Sequence, residues 1–223
     1  MKYQLVTSIM PKSIEEFSIQ VNKCVTPLVE HRIDGFSDFD NFNIKYKEYN
    51  KEFIATIRPT SLGGNYKGTI NEKLSLLSVC MRNGISFIDI ELELDNEIIN
   101  KIITQAQSKE VKVILSTHNF SETPKLDSLR EIYRNMLTYQ PDIIKIVSTA
   151  NTKEDGERMI TIQRESTIPT ISFAMGIKGS FTRILALEEG APFMYVSLEG
   201  NNTAEGQFSF QEMNEKLQFR KNN

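Results

Sequence analysis

Ser86-Phe-Ile-Asp-Ile-Glu-Leu92 is a short apolar run, and a second one, Val111-Lys-Val-Ile-Leu-Ser116, follows it after a helical pattern over Asn96–Ala106. Most strand-like runs of the chain are rich in Ile, Val, Phe and Thr with nearly continuous hydrophobicity, which is typical of parallel strands that are covered on both faces. In the middle segment, Ile98 and Ile102 recur with neighbouring isoleucines at the spacing of one helix face. This strand–helix–strand unit predicts a parallel α/β sheet.

The same alternation runs along the whole chain. Strand-like runs are predicted at Tyr3–Ser8, Pro27–Arg32, Phe53–Arg58, Ser86–Leu92, Val111–Ser116, Asp142–Ser148, Pro169–Phe173 and Pro192–Val196. Eight strands with helices between them predict an α/β fold of the (β/α)8 TIM-barrel type, as a single domain over residues 1–223. The alternative is a doubly wound open sheet, which usually has a glycine-rich turn after its first strand. Thr7-Ser-Ile-Met-Pro11 contains no glycine, and this favours the barrel.

Composition places the chain among soluble globular proteins, with 39% hydrophobic residues and a formal net charge of -3 over 223 residues. The mild acidity argues against nucleic acid or an anionic membrane surface as a partner. No apolar run approaches the roughly 18 residues of a membrane span. Cys24 and Cys80 lie among apolar neighbours and are interpreted as buried thiols in a reducing cytoplasm. The two histidines and two cysteines lack metal-ligand spacing, so no metal is expected.

Polar residues are concentrated where the predicted strands end. In a TIM barrel the carboxyl ends of the strands form the active-site face. The candidates at these ends are Glu30, Arg32, Arg58, Asp89, Glu91, His118, Lys145, Met175 and the loop Thr203-Ala-Glu-Gly-Gln207. Any one of them has an ordinary structural explanation, such as a surface ion pair between Arg32 and Asp34. Their convergence on one rim predicts a functional site.

Lys145 is the most informative candidate, because aliphatic residues flank it on both sides in Asp142-Ile-Ile-Lys-Ile146. Burying an ammonium costs several kcal/mol, so such a lysine tends towards the neutral amine, which is nucleophilic and suited to imine formation. The alternative is a lysine that points between helices and extends to solvent. His118 follows the preceding apolar strand, and there it is either a proton shuttle beside the amine or a structural histidine.

Several of these segments, taken in order, resemble the type I 3-dehydroquinate dehydratases. The matching pieces span about residues 8 to 207. They are Glu30-His-Arg-Ile-Asp34, Thr56-Ile-Arg58 with Gly63-Gly64, Phe87-Ile-Asp-Ile-Glu91, Ser116-Thr-His-Asn-Phe120, Asp142-Ile-Ile-Lys-Ile146, Met175-Gly-Ile-Lys-Gly-Ser-Phe-Thr-Arg183 and Gly206-Gln207. Each motif alone is weak, whereas the ordered set is specific.

The resemblance implies a homodimeric barrel lyase of the shikimate pathway that uses neither a metal nor an organic cofactor. Its substrate is 3-dehydroquinate, which loses water by syn elimination to give 3-dehydroshikimate. In that scheme Lys145 forms an imine with the ring ketone. His118 removes the neighbouring carbon-bound proton and then protonates the departing hydroxyl.

The resemblance also implies how the substrate is held. Arg183 would bind the carboxylate, since a guanidinium matches its geometry. Ring hydroxyls would meet polar side chains, and apolar walls would exclude water. The residues implied for these roles are Ser8, Glu30, Arg32 and Arg58 for polar contacts, Phe120 and Met175 for the walls, and Thr203 and Gln207 for closure by the last loop.

Two positions depart from the family pattern. Leu62 stands where the family usually has a glutamate that orients the histidine, so Asp89 or Glu91 is expected to take that role or His118 is expected to be less basic. We therefore expect a slower enzyme. Thr203 replaces a more usual serine and keeps the hydroxyl.

Two alternative functions remain open from the residues. Another Schiff-base barrel enzyme, such as a class I aldolase, shares the lysine but usually needs a phosphate site. Gly63-Gly64 and Gly176 with Gly179 match no phosphate-binding fingerprint. A non-catalytic binder of polyhydroxy acids would explain Leu62 but needs neither His118 nor Lys145.

Overall fold

Eight parallel strands in the order β7-β6-β5-β4-β3-β2-β1-β8 curl into a nearly closed barrel, with β7 and β8 at the seam. The computed structural model describes residues 4–40, 42–198 and 206–221. The strands are β1 Leu5–Ile9, β2 Leu28–Arg32, β3 Glu52–Thr56, β4 Phe87–Glu91, β5 Lys112–His118, β6 Ile143–Thr149, β7 Thr170–Met175 and β8 Met194–Ser197. The predicted α/β barrel fold is confirmed.

Helices pack around the outside of the strands. They are α1 Ile14–Lys23, α2 Ile70–Arg82, α3 Asn96–Gln107, α4 Leu126–Thr138, α5 Lys153–Glu165, α6 Thr182–Glu188 and α7 Phe210–Lys221. Local sequence sets several of their ends: Thr69 forms a capping box with Glu72 at the start of α2, and Thr152 forms one with Asp155 at the start of α5. Gly84 follows α2 with a φ of 87°, a conformation that glycine adopts without strain.

The connection between β2 and β3 departs from the regular pattern. Its described residues contain two short 3-10 turns, Ile33–Gly35 and Tyr46–Glu48, in place of an α-helix. Aromatic side chains cover this side of the barrel instead, with Phe17 of α1 packed edge-on against Tyr46 at 6.0 Å between ring centroids. The helix layer is therefore completed here by a packed loop.

Most predicted strands match the observed ones to within two or three residues. One difference affects the site: His118 lies inside β5 and not beyond its end, because the ladder with β6 continues through the pair His118 and Val147. Its backbone is thus fixed by the sheet. Tyr3, the first residue of the predicted first strand, lies outside the described residues.

Side chains two positions apart along a strand point to the same face, and this period places the site. Glu30 and Arg32 of β2, and Lys145 and Val147 of β6, all line one cleft at the carboxyl ends of the strands. The intervening residues pack outward against the helices in the main hydrophobic cluster, as Val29 does. A second hydrophobic cluster, which includes Leu28, Ile54 and Ile114, fills the barrel interior.

Both cysteines are buried and form no disulfide with each other. Within the part of the chain that the structure describes, no helix has the length and apolar character needed to cross a membrane.

Candidate active site

A cleft of about 620 Å³, partly open to solvent, lies at the carboxyl ends of the strands. It brings together ten of the eleven residues that the resemblance implies for catalysis and substrate binding, while the candidates Asp89 and Glu91 are not among its lining residues. Those that line it are Ser8, Glu30, Arg32, Arg58, His118, Phe120, Lys145, Met175, Arg183 and Gln207. Thr203 lies outside the described residues.

Lys145 is 5% exposed on β6, so the prediction of a buried lysine is confirmed. Its Nζ donates to Oδ2 of Asp89 at 3.0 Å and lies 4.2 Å from the centroid of the Tyr195 ring. Asp89 comes from β4, two strands away in the sheet, and its side chain points to the same inner face as Lys145. Since Lys145 also lines the cleft, its nitrogen is accessible to a bound molecule.

Asp89 is held as an anion by its neighbours. Its Oδ1 accepts from Nη2 of Arg58 at 2.7 Å and from Oγ of Ser116 at 2.6 Å. Burial acts to raise the pKa of the Asp89 carboxyl, but the positive charges of Arg58 and Lys145 outweigh it and hold that pKa well below its usual value. The carboxylate therefore keeps its charge beneath the lysine.

Glu91, at the end of β4, is fully engaged by two cations. Its Oε1 accepts from Nη1 of Arg58 at 3.1 Å, and its Oε2 forms an ion pair with Lys73 of α2. Lys73 is only 3% exposed. The buried charges thus alternate in sign from Lys73 through Glu91, Arg58 and Asp89 to Lys145.

His118 lies in the cleft on the strand next to Lys145. Burial, together with the cations of Arg58 and Lys145, lowers the pKa of His118 well below the ordinary value for histidine. The ring of Phe120 lies nearly parallel to the imidazole, at 11° and 5.9 Å between centroids. A neutral imidazole at the mouth of a cleft can accept a proton, as a general base must.

The expectation that Asp89 or Glu91 would orient His118 is not met by a hydrogen bond. Nδ1 of His118 has no hydrogen-bond partner among the described residues. The oxygens of Asp89 and Glu91 are taken by Lys145, Ser116, Arg58 and Lys73. Asp89 acts on His118 through its charge, which opposes the lowering of the histidine pKa. Leu62 lines the same cleft and offers no polar group.

Arg183 is a buried cation without a carboxylate partner in the described part of the chain. It is 2% exposed, its guanidinium carbon lies 4.3 Å from the centroid of the Phe173 ring, and its Nε makes no hydrogen bond to a described residue. Burial lowers the pKa of Arg183 to about 10, so the group stays charged at neutral pH. A buried cation that lines a cleft and has no carboxylate partner among the described residues favours an anionic ligand.

The remaining polar residues fall into two groups. Glu30 accepts from Oγ of Ser8 at 2.5 Å and from Oγ1 of Thr56 at 2.9 Å. Arg32 forms a two-point ion pair with Asp34, at 2.8 and 2.7 Å. Asp34 is 3% exposed, so this is not the ordinary surface pair that the sequence left open.

Some cleft residues were missed from the sequence, and they include Thr56, Phe173 and Tyr195. Each lies in a strand covered on both faces, where hydrophobicity does not show which side chains point inward. The two-residue period counted back from Arg58 is the signal that could have found Thr56.

Comparisons with known proteins agree with the resemblance on which the site residues were expected. The family model described as type I 3-dehydroquinase matches residues 5–223. This chain belongs to the type I 3-dehydroquinase family. The family carries out a hydro-lyase reaction, the dehydration of 3-dehydroquinate in the shikimate pathway, and the chain is an enzyme of this class.

Individual relatives support the assignment to the type I 3-dehydroquinase family. A 3-dehydroquinate dehydratase of Dehalococcoides mccartyi is 37% identical over 170 residues, covering 74% of this chain and 73% of the relative. One from Methanococcus maripaludis is 32% identical over 191 residues, covering 85% and 86%. The crystal structure of the Geobacillus kaustophilus enzyme superposes with a TM-score of 0.90 at 21% identity, over 100% of this chain and 92% of that one, and this likeness speaks for the fold.

Proposed function

We propose that this family member dehydrates 3-dehydroquinate through a Schiff base on Lys145, with His118 as general base and then general acid. The observation that carries the proposal is a buried amine at the floor of a cleft, on the strand next to a histidine whose pKa burial keeps low. Neutral imidazole and a shielded amine are the two groups that imine-based proton abstraction requires.

The proposed reaction runs in four steps. His118 takes a proton from the Lys145 ammonium, and the neutral amine attacks the ring ketone to form a carbinolamine. His118 then returns the proton to the carbinolamine hydroxyl, which leaves as water and gives a protonated imine. The imine withdraws electrons from the neighbouring carbon, and His118 removes the proton there, which leaves an enamine. Collapse of the enamine expels the ring hydroxyl, which leaves as water with the proton from His118. Water then hydrolyses the imine, which frees the product and restores Lys145.

Binding would place the substrate carboxylate on Arg183, since this buried cation has no carboxylate partner among the described side chains. The ring hydroxyls would lie near Glu30, Arg32, Arg58 and Ser8, and Gln207 with Thr203 would close the cleft. Phe120 and Met175 would form apolar walls. No metal or organic cofactor enters this scheme, since the imine itself supplies the electron sink.

The test is reduction with borohydride in the presence of 3-dehydroquinate, followed by peptide mass mapping, with Lys145→Met as the control. An adduct on Lys145 with the mass of the dehydrated product supports nucleophile, substrate and water loss together. An adduct that retains the water points to an impaired proton transfer. Ligand binding without any adduct would favour the non-catalytic binder and overturn the proposal.

We also propose that the chain acts as a homodimer in the cytoplasm, as its resemblance to the family implies. Light scattering at working concentration tests the dimer, and a monomeric mass would contradict it. Fractionation of cells that express the chain tests the location.

A further inference from the structure

Tyr195 of β8 lies directly against the nitrogen of Lys145. It is 4% exposed and lines the cleft. The Nζ of Lys145 lies 4.2 Å from the centroid of its ring, while Oδ2 of Asp89 accepts from the same nitrogen at 3.0 Å. The amine is therefore held between a carboxylate and an aromatic ring.

These two contacts respond differently to imine formation. An ammonium has three N–H groups, whereas a protonated imine keeps one. Asp89 can accept from that one. A hydrogen-bond acceptor in the place of Tyr195 would lose its donor, but the face of an aromatic ring attracts positive charge without needing an N–H directed at it. The ring thus favours the same nitrogen position before and after the covalent step.

We propose that Tyr195 is a positioning residue that holds the Lys145 nitrogen in the cleft through the face of its ring. This inference rests on the Schiff-base step proposed above. Without the ring, the nitrogen keeps its hydrogen bond to Asp89 but loses the contact on its other side. Productive orientations of the amine are then populated less often, and imine formation slows.

The hydroxyl of Tyr195 is not part of this role. It is buried and has no hydrogen-bond partner among the described residues. The edge of the ring is in contact with Phe193, at 5.6 Å between centroids and 80° between planes, and its face is in contact with the Lys145 nitrogen. Phenylalanine at position 195 should therefore keep the ring in place, because no hydrogen bond to a described residue is lost.

Three variants distinguish the effect of the Tyr195 ring from the effects of its hydroxyl and of the packing around it. They are Tyr195→Leu, which removes the ring, Tyr195→Phe, which keeps it, and Phe193→Leu, which removes a neighbouring ring that does not line the cleft. The measurements are the rate of borohydride inactivation at saturating 3-dehydroquinate, with the adduct mapped to Lys145, and kcat and KM for the folded fraction of each variant.

A desolvated cation–π contact predicts a loss of about 5- to 30-fold in both the trapping rate and kcat for Tyr195→Leu, with KM within about 3-fold. We expect Tyr195→Phe to stay within about 3-fold of the unmodified chain, and Phe193→Leu to lose stability but not trapping rate. Tyr195→Met, which has a similar reach and no ring, serves the same purpose if the leucine variant does not fold.

Three results would overturn the role of the ring: normal trapping in Tyr195→Leu, an equal loss in Tyr195→Phe, or an equal loss in Phe193→Leu. The second would assign the effect to the hydroxyl and the third to packing. Failure of the unmodified chain to form any adduct on Lys145 is a different outcome, since it removes the Schiff base itself and the inference with it.

Discussion

Lowering the pH should destabilise this protein through its two histidines, because the pKa of each is held below its ordinary value. His31 is fully buried, with its Nδ1 2.9 Å from the Tyr46 hydroxyl and the Phe17 ring 4.5 Å away. Burial lowers the pKa of His31 from 6.5 to about 3, against a smaller opposing effect of Asp34. We predict that His31→Phe removes much of the acid sensitivity.

The sign and size follow from proton linkage. Below 6.5 the unfolded chain takes up a proton that the folded chain refuses until about pH 3, so stability falls as the pH drops through this window. At about pH 5 the solution is roughly 1.5 units below the pKa of histidine in the unfolded chain and still above the pKa of His31 in the folded chain. This gap corresponds to a loss of about 2 kcal/mol in the free energy of unfolding from His31. His118 adds a loss of the same sign, because its pKa is also lowered.

Urea unfolding followed by circular dichroism, at about pH 8 and about pH 5, measures these losses. His31→Phe should lose about 2 kcal/mol less than the unmodified chain between the two conditions, whatever its absolute stability. Asp34 and Asp89 have pKa values lowered from 3.8, so both carboxylates stay ionised between about pH 8 and about pH 5. Equal losses in both proteins would refute a neutral, buried His31.

Three further predictions concern the cleft and its support. Leu62→Glu should raise kcat, because a carboxylate near His118 would raise the pKa of that histidine and stabilise its protonated form. Leu62→Gln is the uncharged control. A lower kcat in the glutamate variant would show that the leucine is not what slows the enzyme. Arg183→Gln should raise KM by about 10- to 100-fold with a smaller effect on kcat, since a charged hydrogen bond to the substrate is lost. As a control, substitution of the exposed Arg220 by Gln should leave KM unchanged. An equal KM in the two variants would exclude binding of the substrate carboxylate by Arg183. Lys73→Met should lower the free energy of unfolding by about 3–5 kcal/mol, because Glu91 loses a buried partner. Lys73→Arg should recover part of this free energy. If the unfolding curve of Lys73→Met coincides with that of the unmodified chain, the ion pair contributes nothing to stability.

The order of strands and the main catalytic candidates could be predicted because they depend on local signals. Strands covered on both faces are almost wholly apolar, so a lysine within one, such as Lys145, is conspicuous. The carboxyl ends of parallel strands share one rim, and this places His118 near Lys145 without any knowledge of side-chain positions.

The orientation of the carboxylates could not be predicted in the same way. The sequence suggested that Asp89 or Glu91 would replace the glutamate that is absent at Leu62. In the structure their oxygens are taken by other groups, among them Lys73 from a helix. Such pairing joins residues far apart in the chain, as in the 56 positions between Asp89 and Lys145, and no local pattern encodes it.

The sequence by itself determined the α/β class, the barrel order and the presence of a lysine and a histidine at one rim, because hydrophobic period and strand ends are properties of short segments. Only the tertiary structure decided that Tyr195 faces Lys145 and that a packed loop replaces a helix between β2 and β3. Both depend on how the sheet closes and which face of a strand turns inward. When a strand is apolar on both faces, its sequence does not show which side chains point into the barrel.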